Sequence, residues 1–115
     1  MRVAVTYENE SVYWHFGRAE RFKIYDIEQG EIVVTAVVNM NGSNHSELVK
    51  LLKQMEISHL ICGGIGEVAK EMMVQEGIEV YFGIDGSCDE AVEKLIRGTL
   101  KGKTENQCEC KYKKD

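Results

Sequence analysis

Residues 58–80 decide the fold, and they read SHLICGGIGEVAKEMMVQEGIEV. The short apolar run at residues 58–62 is typical of a buried strand, and a glycine-rich turn, Gly63–Gly66, follows it. Apolar side chains then recur at helical spacing as far as Gly77, a plausible helix end, before a second strand at residues 78–82. A strand, a helix and a second strand in this order predict a right-handed crossover between two parallel strands.

The segments on either side of this unit extend the alternation. Upstream, β-branched and aromatic runs predict strands at residues 2–7, 21–28 and 31–38, the last two forming a hairpin. A first helix follows, with Asn44 and Glu47 spaced like a capping box. The last helix opens at Ser87 and ends at Gly98. The order βββαβαβα predicts an α/β fold with a mixed five-stranded sheet flanked by three helices, arranged as in ribonuclease H. Strands one, four and five should be parallel and strand two antiparallel.

The length of 115 residues suits a single domain. We assign residues 1–100 to that domain, and residues 101–115, which lack apolar periodicity, to a flexible lysine-rich tail with a Cys-x-Cys motif. No apolar run approaches the roughly 20 residues of a membrane helix, so we expect no membrane association. The first residues lack the pattern of a secretory signal, which predicts a cytoplasmic protein.

The charge distribution argues against a nucleic-acid partner. Residues 1–98 carry 9 basic and 16 acidic side chains, whereas residues 99–115 carry 5 basic and 3 acidic ones. Affinity for nucleic acid comes largely from clustered Lys and Arg that neutralise phosphates, and an acidic body repels them. Nucleic acid is therefore not expected as a partner.

The four cysteines are predicted to be reduced thiols, because their spacing is not that of a disulfide scaffold. Cys62 and Cys88 have the default interpretation of small buried hydrophobic residues. Cys108 and Cys110 lie instead in a polar segment, where they could supply two soft thiolates to iron, zinc or copper.

A second candidate for metal binding is the motif His15-Phe16-Gly17-Arg18, in the loop between strands one and two. A loop histidine offers a ring nitrogen to a metal, the glycine permits close backbone approach, and the arginine supplies positive charge. An ordinary hydrogen-bonding histidine and a surface arginine would give the same pattern. The motif alone leaves both interpretations open.

The turn Gly63–Gly66 joins a strand to a helix, where backbone N–H groups favour an anion. Glycines needed only for a tight turn explain it equally well. A dinucleotide fingerprint is a poor match, since the second nucleotide-binding half is missing. Two histidines complete the candidates: His45, at the start of helix one, is a hydrogen-bonding residue or a ligand, and His59 is predicted to be structural.

Two classes of enzyme are disfavoured by what the sequence lacks. Strand one carries no carboxylate where a ribonuclease H-like nuclease needs a metal ligand, which argues against a two-metal nuclease. No serine sits in a nucleophile elbow, which disfavours a hydrolase.

Six segments together resemble the dinitrogenase iron-molybdenum cofactor biosynthesis family, the group of NifX, NafY and the NifB C-terminal domain. They are Val3–Val5, His15–Ala19, Phe22–Ile27, Gly42–His45, Ile61–Gly66 and Gly77–Val80. The resemblance implies a ribonuclease H-like fold without nuclease activity. Its function would be non-enzymatic binding and transfer of an iron-sulfur type cluster, such as the iron-molybdenum cofactor or its precursor, between donor and acceptor proteins of metallocofactor assembly.

The resemblance also gives the candidate residues their roles. Ligation in the family is associated with the histidine that corresponds to His15, and Arg18 would compensate the charge of an anionic cluster. The candidate cofactor-binding residues are His15, Arg18, His45, Cys62, Gly63, Gly64 and Gly66. The candidate metal ligands are His15, Cys62, His45, Cys108 and Cys110, of which the last two lie outside the resembling region. No nucleotide cofactor is expected.

Topology adds a geometric prediction. If strands one, four and five are parallel, the loops carrying His15, His45 and Cys62 and the turn before Cys88 leave the sheet at one edge, with His59 at the opposite edge. Two alternatives stay open: a module that binds a small anionic ligand or nucleotide at the glycine-rich turn, and a mononuclear zinc or iron protein.

Overall fold

The computed structural model describes residues 1–40, 44–100 and 103–104, the last pair and His45 by their backbone alone. Its strands are β1 (Arg2–Glu8), β2 (Ser11–Val12), β3 (Arg21–Glu28), β4 (Glu31–Asn39), β5 (His59–Ile61), β6 (Glu79–Phe82) and β7 (Lys103–Thr104). Its helices are α1 (His45–Gln54), α2 (Glu67–Gln75) and α3 (Cys88–Arg97). Among the described residues, no helix is long and apolar enough to cross a bilayer.

The strands form one mixed sheet in the order β4-β3-β1-β5-β6-β7, with β2 paired to β1. β1, β5 and β6 run parallel, whereas β3 is antiparallel to both β1 and β4. The predicted mixed α/β sheet with three helices is thus confirmed. The five predicted strands correspond to β1, β3, β4, β5 and β6, and the described residues add two strands of two residues each, β2 and β7, which show no apolar period. β7 lies within the segment predicted to be a tail, and residues 105–115 lie outside the described residues.

Local chemistry explains where the helices begin and end. At the start of α1, the Asn44 side chain accepts a hydrogen bond from the backbone N–H of Glu47, and the Glu47 carboxylate accepts one from the N–H of Asn44. This is the predicted capping box. Ser87 caps α3 by accepting from the N–H of Glu90, and Gly98 ends that helix with a left-handed φ of 76°.

The sheet is covered unequally on its two faces. Helices α1 and α2 pack on one face, with Leu48, Leu52 and Met73 in one apolar cluster with Phe22, Leu60 and Val80. On the other face α3 packs alone, with Ala91 and Val92 in a cluster with Val3, Val5 and Ile61. The outermost strand β4 is exposed along most of its length on both faces of the sheet.

Candidate functional site

The loop after β1 is joined by its backbone to the glycine-rich turn after β5. The N–H of Phe16 donates to the carbonyl of Gly64 at 2.8 Å, and the N–H of Gly64 donates to the carbonyl of Trp14 at 2.5 Å. His15 and Gly64 thereby form a parallel bridge. The prediction that the His15 loop and the glycine-rich turn lie at the same edge of the sheet is confirmed.

A buried polar side chain fixes the start of this loop. The hydroxyl of Thr6 donates to the carbonyl of Tyr13 at 3.0 Å, and the N–H of Tyr13 donates to the carbonyl of Thr6 at 2.9 Å. Thr6 is fully buried. Sequence reasoning missed its role because threonine is an ordinary strand residue. The available signal was a polar residue directly after the apolar run Val3–Val5.

The three glycines of the turn meet different surroundings. A Cβ added to Gly63 would lie 2.5 Å from the carbonyl oxygen of Trp14, a separation that real structures essentially never show. Gly63 is therefore required by the close approach of two backbones. Gly64 and Gly66 are exposed, and a Cβ on Gly66 would meet nothing within 4 Å. A Cβ on Gly64 would lie 3.3 Å from the carbonyl oxygen of Trp14, a tight contact, so it is Gly66 that leaves open space at the surface of the turn.

The imidazole of His15 lies between Trp14 and Gly17. Its ring is edge-on to the Trp14 ring at a centroid distance of 5.1 Å, and a Cβ on Gly17 would lie 3.1 Å from its Cε1. Among the described residues, the Nδ1 atom is buried and has no hydrogen-bond partner. No hydrogen bond to Nε2 is found among these residues either, and His15 as a whole is half-buried, so the side chain is accessible in part from solvent.

Arg18 ends the short 3-10 turn that follows His15, and its backbone N–H donates to the carbonyl of His15 at 3.3 Å. The side chain is exposed and forms no ion pair with any residue that the structure describes. It lines a small hollow together with Glu8, Glu20 and a second arginine, Arg21. The backbone of Arg18 thus lies against His15, whereas its side chain lines a hollow to which His15 does not contribute.

The start of α2 is open to solvent. Gly66 occupies the N-cap position and offers no side chain to the first backbone N–H groups of the helix. Such groups favour an anion. Glu67, in the same turn, adds a negative charge that opposes one, although its carboxylate is paired with Lys70 at 2.7 Å. The helix start is therefore only weakly selective for negative charge.

The two described cysteines are packed in the core. Cys62 is fully buried in the cluster under α1 and α2, and burial raises the pKa of its thiol to about 12. Cys88 is also fully buried, at the start of α3, where burial raises the pKa of its thiol to about 12. Both are neutral thiols near pH 7. The structure brings Cys62 next to the glycine-rich turn in sequence, but its side chain lies within the apolar core.

The remaining candidates are placed as follows. His59 begins β5 beside Val3 and Glu79, at the edge opposite His15, as predicted. Its Nδ1 lies 2.7 Å from the hydroxyl of Ser58, and its ring stacks on Tyr81.

The first helical residue of α1 is His45, whose side chain is not described. Cys108 and Cys110 lie outside the described residues. Within the described part of the chain, no three His, Cys, Asp or Glu side chains gather as a metal site.

Comparison with known sequences identifies one family. A family model described as dinitrogenase iron-molybdenum cofactor matches residues 1–98. A Methanocaldococcus jannaschii protein, MJ0580, is 31% identical over 105 residues, which are 87% of this chain and 89% of the relative.

Solved structures share the fold. The crystal structure of PH0822 superposes with a TM-score of 0.81 at 30% identity, and the alignment covers 90% of this chain and 96% of PH0822. The solution structure of a Thermotoga protein provisionally named NifB, TM1290, superposes with a TM-score of 0.67 at 29% identity, covering 88% of this chain and 91% of the other.

Proposed function

The chain belongs to the dinitrogenase iron-molybdenum cofactor family, and from that membership we propose that it binds an iron-sulfur type cluster and hands it on during metallocofactor assembly. The cluster is cargo in this proposal, taken from a donor protein and released to an acceptor protein. We further propose that the protein acts in the cytoplasm, without catalysing a reaction, and that its topology is ribonuclease H-like.

The position of His15 is the observation that carries the proposal. The backbone bridge to Gly64 holds this residue at the carboxyl edge of the parallel strands, where open α/β sheets commonly bind ligands. The imidazole is accessible in part from solvent, and the neutral ring is a common ligand of iron and other transition metals. We assign His15 as the principal ligand.

Neighbouring groups suit a negatively charged cargo. Iron-sulfur type clusters are usually anionic, and the Arg18 guanidinium would offset part of that charge. The open space at Gly66 leaves room for a bulky cluster, and the N–H groups at the start of α2 would face it. Gly63 would contribute indirectly, by allowing the turn to approach Trp14.

A carrier must release its cargo. A site with only a small number of protein ligands favours that release. We retain His45, Cys108 and Cys110 as additional ligands in the proposal, since the first follows β4 towards the same edge and the other two are soft donors in a polar segment. Cys62 would have to leave the core and lose a proton before it could bind metal. We therefore rank it last among the proposed ligands.

The proposal is tested by anaerobic reconstitution of the full chain with ferrous iron and sulfide. We expect broad visible absorption and bound iron and sulfide that persist through desalting. Trp14 is the one tryptophan of the chain, is 60% exposed and touches the His15 ring, so its fluorescence should be quenched as the cluster binds.

Two other results would contradict the proposal. A colourless protein with background iron, whose thermal unfolding temperature rises when a nucleotide such as ATP is added, would favour a nucleotide-binding module. Stoichiometric binding of zinc or iron without sulfide would favour a mononuclear metal protein.

A further inference from the structure

Gly17 lies against the imidazole ring of His15. A Cβ added to Gly17 would lie 3.1 Å from the Cε1 atom of that ring and 3.5 Å from its Nδ1 atom. Apart from the chain neighbours of Gly17, these two ring atoms are the only heavy atoms of the described residues within 4 Å of the added Cβ. The contact that favours a glycine at position 17 is therefore made by the His15 side chain.

The backbone gives no second reason for this glycine. Gly17 is the middle residue of the 3-10 turn Phe16–Arg18, and its φ lies outside the left-handed region that favours glycine. Alanine therefore fits the backbone conformation of this turn. Gly63 differs in this respect, because a Cβ there would meet the backbone of Trp14.

The ring of His15 is held by packing. Trp14 lies edge-on to it, and Gly17 lies along its Cε1–Nδ1 side. The Nδ1 atom is buried without a hydrogen-bond partner among the described residues. Metal-binding histidines usually donate the N–H of their second ring nitrogen to an acceptor, which fixes the orientation of the ring. In the described part of this chain, packing is what remains to fix it.

We propose that Gly17 is a positioning residue, which turns the Nδ1 side of the His15 ring into the protein and leaves Nε2 to bind the cluster. This inference rests on the proposed function, in which His15 is the principal ligand. A methyl group at position 17 would push the ring aside by a few tenths of an ångström. A metal–nitrogen bond depends on such placement, so the glycine would contribute to affinity without touching the cluster.

A double-mutant cycle tests the proposal. The cluster is reconstituted anaerobically from ferrous iron and sulfide, and its affinity is measured by competition with an iron chelator. Gly17→Ala should lower the affinity about tenfold, the usual loss when the support of a metal-binding histidine is removed. In the His15→Ala background the same substitution should change nothing, because there is no ring to displace.

The position of the ring is measured separately in the protein without a cluster. In the natural chain, nuclear Overhauser effects should connect the Hε1 proton of His15 with the α-protons of Gly17 and with the Trp14 ring. In Gly17→Ala the effects to the Trp14 ring should change in intensity. Those between the core residues Phe16 and Phe22 should stay the same, which shows that the fold is kept.

The ligating nitrogen is identified with histidine that carries the heavy nitrogen isotope at either Nδ1 or Nε2. Electron–nuclear double resonance of the reduced, paramagnetic cluster should show strong coupling to labelled Nε2, and this coupling should be absent from His15→Ala. Strong coupling to Nδ1 of His15 would overturn the assignment.

The remaining outcomes separate this inference from the proposed function. Equal losses of affinity in both backgrounds would show that Gly17 acts on the loop and not on the ring. A cluster bound equally well by the natural chain and by Gly17→Ala would contradict this inference alone. A natural chain that binds no cluster would contradict the proposed function, and the inference would fall with it.

Discussion

The N–H of Gly64 donates to the carbonyl oxygen of Trp14 at 2.5 Å, so the loop that carries His15 is held by the same backbone ladder as the parallel strands. The position of His15 is therefore set by main-chain bonds on both sides of it, from Trp14 and from Phe16. Replacing the imidazole removes a candidate ligand without removing these bonds.

The first prediction follows because the His15 side chain can be removed without loss of these main-chain bonds. His15→Ala should lower the affinity for a reconstituted iron-sulfur cluster at least about tenfold, since loss of even a supporting residue commonly costs that much. Quenching of Trp14 fluorescence measures the affinity. His59→Ala is the matched control, because His59 lies at the other edge of the sheet and should leave affinity unchanged. Equal affinities for the natural chain and His15→Ala would remove His15 from the site.

The second prediction concerns the contact between Gly63 and Trp14. Gly63→Ala should reduce the free energy of unfolding by about 1–3 kcal/mol, because the new Cβ meets backbone atoms that cannot move aside. Urea denaturation measures the change. Gly66→Ala should cost about 1 kcal/mol or less, since its Cβ meets nothing and only the helix cap is affected. Similar losses for both variants would contradict the interpretation of Gly63.

The third prediction concerns pH. Burial lowers the pKa of His59 from its ordinary value of 6.5, because the partly buried ring loses water that would stabilise its charged form. The unfolded chain therefore binds a proton more readily than the folded chain. Stability from this residue is fully present above pH 6.5 and is lost as the pH falls below that value.

Thermal unfolding between about pH 7.5 and pH 5.5 checks this dependence. The unfolding temperature of the natural chain should fall on acidification, and that of His59→Gln should fall less. Asp89 does not interfere in this window, since hydrogen bonds from Tyr25 and Lys23 lower the pKa of its carboxyl group further below its ordinary acidic value. Identical slopes for the two proteins would refute the assignment to His59.

The fourth prediction concerns the buried thiols. In a Cys108→Ser/Cys110→Ser variant, the remaining Cys62 and Cys88 should not react with a thiol reagent such as Ellman's reagent while the chain is folded. Both are fully buried with a pKa of about 12, and the thiolate is the reactive form. Two equivalents should react after denaturation. Rapid reaction of one thiol in the folded chain would show that Cys62 or Cys88 reaches solvent, and mass spectrometry would identify it.

Much of the fold could be predicted from local patterns. The predicted strands at residues 2–7, 21–28 and 31–38 match β1, β3 and β4 to within one residue, because β-branched and aromatic runs end at turn residues. The single helix on one face and the exposure of β4 could not be predicted. Both depend on the order of strands in the sheet, and the β4 sequence has the composition of a buried strand.

The candidate site was predictable in outline and not in its details. Parallel pairing of β1 and β5 is sufficient to place His15 and the glycine-rich turn at one edge. Successive residues at the end of β5 point to opposite faces of the sheet. Ile61 therefore packs under α3, whereas Cys62 packs under α1 and α2. A one-residue difference in register would have reversed the two, and composition does not encode that register.

The bridge between His15 and Gly64 also sets an order of events during synthesis. The two residues leave the ribosome far apart in time, and the histidine loop, which Thr6 holds at its start, gains its bridge to Gly64 only when the second half of the chain has emerged and β5 has paired with β1. A nascent chain ending before β5 would carry the histidine without its fixed position. If the proposed cluster binds at this edge, its loading would follow the pairing of β5 with β1.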